Sequence, residues 1–266
     1  MTIKRLITAL ILLPIVTLVI LKGGTLLFAC MLGIFSFIGI HEFFCMAIPD
    51  RTIETWLAAT AGTVLIFVPL LGSERIITGV MTALFLAFAL LTLFRINNIA
   101  DAARDVAFSM LAFFYIPFLL MHLVMLRQTN YGIQWLFVVM LIVMTNDSAA
   151  YYTGSAFGRR KLYPLVSPNK SIEGALGGVV GSICGTMLAK FTFFPQLSLV
   201  DVLFTAIFIG ILGQTGDLFE SLLKRSFGVK DTGTIFPGHG GMLDRLDSIL
   251  FAGPAMYYYA TYFFKG

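Results

Sequence analysis

Long apolar runs recur along the whole chain, and they limit the possible folds more than any other feature. A membrane-spanning helix needs about 20 consecutive and mostly apolar residues. Nine runs approach this length, separated by charged or turn-forming residues; they are residues 6–21, 26–44, 56–71, 76–94, 106–126, 133–152, 172–194, 200–218 and 248–264. We therefore predict an all-α fold, a polytopic integral membrane protein with about nine transmembrane helices.

The composition excludes two other classes of protein. Apolar residues make up 58% of the chain and charged residues 12%, whereas soluble domains have roughly 45–50% and about 25%. A water-soluble fold is therefore excluded. Intrinsic disorder requires low hydrophobicity and high net charge, so a mean hydropathy of +0.92 and a formal charge of +4 exclude it as well.

The basic residues predict how the chain is oriented in the bilayer. When Lys and Arg are counted in alternate connections, 13 of the 18 fall on the side of the N-terminus and 5 on the other. Because cytoplasmic loops are enriched in Lys and Arg, the N-terminus is predicted to be cytoplasmic and the C-terminus outside. Sidedness thus explains the small basic excess, and nucleic acid is not an expected partner.

The two halves of the chain differ in character. Residues 1–130 form predicted spans one to five and have short, plain loops, whereas residues 131–266 carry most of the glycine-rich and mixed-charge sequence. The two longest polar connections, 154–171 and 219–247, both fall on the predicted cytoplasmic side and hold 8 of the 18 basic residues. We expect the second half to carry the chemistry.

Acidic residues at the ends of apolar runs are the first candidates for a site. A charged side chain at the centre of a membrane helix costs about 2.5–3.5 kcal/mol on insertion scales, so each one requires a reason. Four sites lie at predicted cytoplasmic ends, and they contain Asp147, Glu173, Asp217 with Glu220, and Asp244 with Asp247.

The spacing of these acids favours a metal-assisted phosphate site. Asp217 shares one helix face with Glu220 and Ser221, and Asp244 with Asp247 repeats the three-residue spacing. Carboxylates and hydroxyls without soft ligands suit Mg²⁺, which often shares its coordination shell with substrate phosphates. The same two connections also supply basic partners for phosphate, namely Lys170, Lys224, Arg225, Lys230 and Arg245.

Several of these features have simpler interpretations. Asp217 and Glu220 could be helix-end residues paired with Lys224 or Arg225. The glycines at 174, 177, 178, 181 and 185 have the spacing of close helix packing, which we prefer to phosphate binding. His41 and Glu42, at the end of the second run, are interpreted as interfacial residues without a functional role. His239 differs, because it lies in a Pro/Gly turn whose glycines permit positive φ angles and close approach of a phosphate.

The second half resembles a known enzyme family. Residues 221–247 read SLLKRSFGVKDTGTIFPGHGGMLDRLD, which closely resembles the signature of the phosphatidate cytidylyltransferases, or CDP-diacylglycerol synthases. Upstream matches are DSAAY at 147–151, SPNKSIEG at 167–174 and GDLFES at 216–221. One departure precedes Asp147, where the family often has a Trp and this chain has Met144-Thr145-Asn146. Residues 1–130 match only as a hydrophobic multi-span pattern.

The resemblance implies an activity and its surroundings. The reaction is CTP + phosphatidate → CDP-diacylglycerol + pyrophosphate. It is expected to require Mg²⁺, with one or two cations bound at the site. The expected location is the bacterial plasma (inner) membrane, where the multi-pass chain contacts the lipid bilayer. CTP and phosphatidate are the expected partners. A homodimer is expected only because dimers are common, since no residue in the sequence indicates one.

The resemblance also implies roles for individual residues. Asp217 and Asp244 match the metal-binding aspartates, and Glu220 and Asp247 are interpreted as further metal ligands. The expected catalytic set is Asp217, Asp244, Lys224, Arg225, Lys230, His239 and Arg245. The expected substrate-binding set is Lys170, Ser171, Glu173, Ser221, Asp147 and Asp231.

Two alternatives remain open at this stage. A related enzyme could act on another lipid, as a polyprenol or dolichol kinase-like phosphotransferase or a cytidylyltransferase of ether lipids, because the polar motif does not read the lipid tail. A transporter could use Asp147, Glu173 and Asp217 for ion coupling. A transporter is expected to have acidic residues near the middle of the bilayer and internal sequence repeats. In this chain the acidic residues instead gather at one predicted side of the membrane, and no repeat is evident in the sequence.

Overall fold

The described part of the chain is almost entirely helical. The computed structural model describes residues 3–49, 52–72, 74–95, 99–236 and 240–266. Its helices are α1 Ile3–Lys22, α2 Gly24–Ala47, α3 Thr52–Phe67, α4 Glu74–Arg95, α5 Ile99–Phe113, α6 Leu119–Arg127, α7 Gly132–Phe157, α8 Ile172–Thr192, α9 Leu199–Ser226 and α10 Leu243–Tyr262. A 3-10 turn, Val68–Leu71, extends α3, and a π-helical turn, Phe114–Phe118, joins α5 to α6.

The helices confirm the predicted all-α polytopic membrane fold. Within the described residues, seven are long and apolar enough to cross a membrane: Gly24–Ala47, Thr52–Leu71, Arg75–Arg95, Ile99–Arg127, Gly132–Phe157, Ile172–Thr192 and Leu199–Ser226. They coincide with the second to eighth predicted runs. The first run lies in α1, Ile3–Lys22, and its crossing of the bilayer stays a prediction. The ninth lies in α10, which has three charged residues among its first five. Its crossing of the bilayer stays a prediction, as does the orientation.

Pro117 accounts for the turn between α5 and α6. Proline has no N–H group and cannot make the hydrogen bond of a regular helix, so a wider turn accommodates it. Pro117 lies inside the π-helical turn and is buried. The two helices therefore form one span, Ile99–Arg127, which corresponds to the single predicted run at 106–126.

The chain forms two compact units, each built from two separate stretches of sequence. The first unit comprises Met1–Val124 and Asp231–Arg245, and the second comprises Met125–Lys230 and Leu246–Gly266. Part of the 221–247 signature therefore packs with the N-terminal helices. The predicted functional division at residue 130 stays a prediction.

Close packing of α8 against α7 dominates the second unit. A Cβ added at Gly177 would lie 2.0 Å from Thr153 Oγ1, and one at Gly181 would lie 2.5 Å from Ala149 Cβ. Real Cβ atoms are not found this close to their neighbours. The interpretation of these glycines as a helix-packing surface is thus confirmed.

A short β-hairpin precedes α8 and was not predicted. Strands β1, Lys161–Tyr163, and β2, Ser167–Ser171, pair antiparallel, with Lys161 opposite Ser171 and Tyr163 opposite Ser167. Ser171 ends β2 and also caps α8, because its hydroxyl accepts a hydrogen bond from Gly174 N–H at 3.1 Å. This arrangement holds Lys170 next to the beginning of α8.

Candidate active site

The second unit gathers acidic and basic side chains from four elements. We call four of its carboxyl-bearing residues the acidic cluster. They are Asp147 on α7, Asp217 and Glu220 on α9, and Asp247 on α10. Lys170 on β2 and Lys224 on α9 provide the positive charges that pair with this cluster.

Two ion pairs join the lysines to the cluster. Lys170 Nζ lies 2.6 Å from Asp217 Oδ2, with side chains 29% and 31% exposed. Lys224 Nζ lies 3.2 Å from Glu220 Oε1, one helical turn away on α9. Glu220 is 1% exposed. The alternative of a helix-end pair is therefore correct for Lys224 and Glu220, whereas Asp217 pairs with a lysine that is remote in sequence.

Asp247 brings further negative charge to the same place. The charged groups that act on its carboxyl include Asp217 and Asp147, and Glu220 interacts with it directly. α9 approaches closely here, because a Cβ at Gly216 would lie 2.5 Å from the Asp247 carbonyl oxygen. Like charges repel strongly where water is partly excluded, so this cluster favours cations as partners.

The donor chemistry of the acidic cluster fits Mg²⁺, although the ligands do not converge. Among the described residues, no group of three or more His, Cys, Asp or Glu side chains is arranged to hold a metal ion. Mg²⁺ usually takes only one or two carboxylates from a protein and completes its shell with water and substrate phosphates. The oxygen donors of Asp217 and its neighbours meet that requirement.

Ser171 and Glu173 organise the beginning of α8. Ser171 is buried and caps the helix. The Glu173 carboxylate accepts hydrogen bonds from the backbone N–H groups of Arg159 at 3.0 Å and Arg160 at 3.2 Å. Both side chains therefore hold the connection that carries Lys170. Their direct contact with substrate stays a prediction.

A buried hydrogen-bond network that sequence reasoning missed connects α7, α8 and α9. Asn146 is 2% exposed. Its Nδ2 donates to Ser182 Oγ at 2.8 Å, and its Oδ1 accepts from Gln214 Nε2 at 2.8 Å. Asn146 precedes Asp147, and Gln214 lies three residues before Asp217, so the network fixes the helices that carry the acidic cluster. The sequence feature that could have indicated this network is the departure from the family pattern at Met144-Thr145-Asn146.

In the first unit, Asp244 organises the loop before α10. Its Oδ2 accepts hydrogen bonds from Thr232 N–H at 2.9 Å, Thr232 Oγ1 at 2.9 Å and Gly241 N–H at 2.8 Å. Gly240 has a φ of +79°, which confirms the expected positive φ within this turn. The metal-binding role of Asp244 stays a prediction.

Glu42 is the main residue that sequence reasoning missed. The sequence interpretation gave this residue no role, whereas the structure buries it within the protein, at 5% exposed. Its carboxylate accepts hydrogen bonds from the N–H groups of Met242 and Leu243. An acid inside an apolar run was the signal that could have identified it.

The remaining predicted site residues lie mostly at the surface. Arg225, Lys230, Asp231 and Arg245 are exposed, and Ser221 is half-buried on α9. Exposed cations are accessible to a charged substrate. His239 lies outside the described residues. Asp147 is exposed.

Comparisons with known proteins point to one family. A family model described as "Cytidylyltransferase family" matches residues 3–263. A phosphatidate cytidylyltransferase of Bacillus subtilis (strain 168) is 39% identical over 184 residues, covering 68% of each chain. The enzymes of that name from Staphylococcus haemolyticus (strain JCSC1435) and Staphylococcus aureus (strain COL) are 32% and 30% identical, each covering 95% of this chain and 96% of their own.

Proposed function

Because the chain belongs to the cytidylyltransferase family and is therefore a nucleotidyltransferase, we propose that it is a phosphatidate cytidylyltransferase. The reaction converts CTP and phosphatidate into CDP-diacylglycerol and pyrophosphate. The observation that carries the proposal is the match along residues 3–263, together with relatives of this name that cover 95% of the chain. Family membership also favours an enzyme over the transporter alternative.

The chemistry requires charge neutralisation more than acid–base catalysis. An oxygen of the phosphatidate phosphate attacks the α-phosphorus of CTP, and the bond from that phosphorus to the β-phosphate oxygen breaks. A phosphate monoester loses its second proton near pH 6, so the nucleophile is already ionised at neutral pH and no strong base is needed. The main barrier is the approach of two polyanions, which positive charge and positioning reduce.

Lys170 and Lys224 are proposed to neutralise the substrate phosphates. Both ammonium groups stand beside the acidic cluster, in ion pairs of 2.6 and 3.2 Å. A triphosphate carries more negative charge than one carboxylate, so each lysine can shift its contact toward the substrate. The exposed Arg225, Lys230 and Arg245 are proposed to bind the triphosphate or the lipid headgroup. Arginine suits this role because its planar group can bind a phosphate with two parallel hydrogen bonds.

The acidic cluster is proposed to hold Mg²⁺. Asp217 would be the main ligand, with one of Asp247, Glu220 and Asp147 as a second ligand and the others supporting it from outside the coordination shell. A Mg²⁺ ion held there would supply charge stabilisation for the phosphates of CTP. Asp217 also orients Lys170 through its ion pair. The Asn146 network would keep α7 and α9 in the register that this arrangement requires.

The cytoplasmic face of the bacterial plasma membrane is the proposed place of reaction. CTP is a cytoplasmic nucleotide, and the phosphatidate headgroup lies at the membrane interface. The side of the membrane that carries the two polar connections has 13 of the 18 basic residues, and the other side has 5. This distribution favours a cytoplasmic location for the two connections. The product would then leave laterally in the bilayer. A homodimer stays a prediction that size-exclusion chromatography with light scattering would test.

Incorporation of labelled CTP into lipid tests the function. The purified full chain in detergent, given phosphatidate, Mg²⁺ and CTP labelled at the α-phosphate, should form labelled CDP-diacylglycerol. With polyprenol or dolichol in place of phosphatidate, CTP labelled at the γ-phosphate should give no labelled lipid. Absence of product from folded protein would refute the proposal. Asp217→Asn should lower the rate by about 100-fold or more, the scale of losing one electrostatic group. Asp101→Asn is the matched control, because Asp101 pairs with Arg104 in the other unit. A wild-type rate for Asp217→Asn would refute the metal assignment.

A further inference from the structure

Glu42 is a buried carboxylate at the end of the apolar helix α2. It is 5% exposed, and a buried charge is costly unless hydrogen bonds or opposite charges compensate it. Both of its oxygens have partners. Oε1 accepts from Met242 N–H at 2.9 Å, and Oε2 accepts from Leu243 N–H at 3.0 Å. Glu42 therefore compensates its burial with backbone donors that lie about 200 residues further along the chain.

These two N–H groups are located where α10 begins. The first amides of a helix have no partner within the helix, and they carry the positive end of its dipole. A carboxylate is therefore a favourable cap at this position. α10 begins at Leu243, so Glu42 of α2 caps it from a distant part of the chain.

The loop before α10 is shaped around the Glu42 side chain. A Cβ at Gly233 would lie 2.5 Å from Glu42 Oε1, and one at Gly241 would lie 2.5 Å from both carboxylate oxygens. Only glycine lets the backbone pass this close to the carboxylate. Close approach to the Glu42 carboxylate therefore explains why the signature has glycine at positions 233 and 241.

Thr232 connects Glu42 to Asp244. Thr232 Oγ1 lies 3.2 Å from Glu42 Oε2 and 2.9 Å from Asp244 Oδ2. Thr232 N–H and Gly241 N–H also donate to Asp244 Oδ2. The position of the Glu42 carboxylate therefore determines where the groups that donate hydrogen bonds to Asp244 lie. Those hydrogen bonds in turn orient Asp244 and the next residue, Arg245.

We propose that Glu42 is a positioning residue, which holds residues 232–233 and 241–243, at the beginning of α10, so that Asp244 and Arg245 point correctly for nucleotidyl transfer. The inference rests on the proposed function for its effect on catalysis. Its structural part, the anchoring of residues 232–233 and 241–243 by Glu42, does not depend on activity. Glu42 itself acts through these residues and is not assigned a contact with substrate.

Glu42→Gln tests the proposal with little change in size. The amide keeps one acceptor but turns an N–H donor toward one of the two backbone N–H groups, so one hydrogen bond is lost. We expect kcat for CDP-lipid formation to fall at least tenfold with less than a threefold change in KM for CTP. Glu42→Asp keeps the carboxylate and should recover part of kcat. The matched control is Glu54→Gln in the same unit, where Glu54 pairs with Arg95 at 3.5 Å, and it should stay within twofold of wild type.

Hydrogen exchange measured by mass spectrometry separates this inference from the function. A peptide covering 231–245 should exchange at least tenfold faster in Glu42→Gln than in wild type, with no such change in Glu54→Gln. This comparison holds even if the wild-type protein has no activity, in which case only the proposed function fails. Wild-type exchange of the peptide in folded Glu42→Gln would overturn the inference, and so would a kcat within twofold of an active wild type.

A double-variant cycle gives a second test that global unfolding does not mimic. Thr232→Val removes the hydroxyl that joins the two carboxylates but keeps the backbone N–H. If Glu42 acts through Thr232, the loss of kcat in Glu42→Gln/Thr232→Val will be at least threefold smaller than the product of the two single losses. A double loss equal to that product would overturn the proposed route through Thr232.

Discussion

Replacing Gly181 by alanine tests the packing that supports the acidic cluster. Gly181 lies on α8 and faces α7, which carries Asp147. The new Cβ would lie 2.5 Å from Ala149 Cβ and 2.5 Å from the backbone oxygen of Thr145, while ordinary contacts begin at 3.4 Å. Because one obstacle is backbone, a side-chain rotation cannot relieve the contact, and the helices must separate by roughly 1 Å at this point.

The expected magnitude combines two opposing effects. Overpacking of a close contact costs typically about 1–3 kcal/mol, and alanine in place of a mid-helix glycine returns about 0.5–1 kcal/mol. We therefore expect Gly181→Ala to lower the free energy of unfolding by up to about 2.5 kcal/mol, with a central value of about 1 kcal/mol. Gly79→Ala on α4 is the matched control, since its Cβ would have nothing within 4 Å. That variant should be as stable as wild type or up to about 1 kcal/mol more stable.

Equilibrium unfolding in mixed micelles, followed by circular dichroism, would measure the difference. The initial rate of CDP-lipid formation should fall in Gly181→Ala and remain unchanged in Gly79→Ala, because only the first variant moves the helix that bears Asp147. Equal stability of the two variants would show that α7 and α8 are not in the close contact described above.

Three further predictions concern the network, the metal and the topology. Asn146→Ala should lower the free energy of unfolding by about 2 kcal/mol, because three interhelical hydrogen bonds of about 0.6 kcal/mol each are lost together with some packing. The same unfolding assay would measure this change. Thr192→Ala is the control and should have little effect, since the Thr192 hydroxyl bonds to Leu188 of its own helix. Removal of divalent cations with EDTA should abolish labelled CDP-lipid formation and added Mg²⁺ should restore it, so activity that survives thorough chelation would contradict a magnesium enzyme. A reporter fused after Gly266 should report from outside the cell, and cytoplasmic reporter activity would overturn either the ninth span or the orientation.

Most of the helical fold could be predicted because membrane spans are a local property of the sequence. Each apolar run between charged stretches became a helix, and the seven long apolar helices match predicted runs two to eight. Packing by the α8 glycines was also readable, since their spacing repeats with the helix. The β-hairpin at Lys161–Ser171 was not predicted because its two strands are short and lack an apolar alternation.

The candidate site could be predicted in its residue types but not in its pairings. The sequence identified Lys170 and Asp217 as candidates, yet nothing in their spacing indicates the 2.6 Å ion pair between them. Asn146 and Gln214 received no role, because amides within apolar helices become informative only when their partners are known.

The sequence by itself determined the class of this protein: the apolar runs require membrane helices, and the segment from Asp147 to Asp247 carries the resemblance to a cytidylyltransferase. Only the tertiary structure decided that Glu42 caps α10 and supports Asp244 through Thr232. The physical reason is distance along the chain. Hydropathy, spacing and capping act between neighbouring residues, whereas a buried carboxylate finds its donors wherever the folded backbone brings unpaired N–H groups, here 200 residues away.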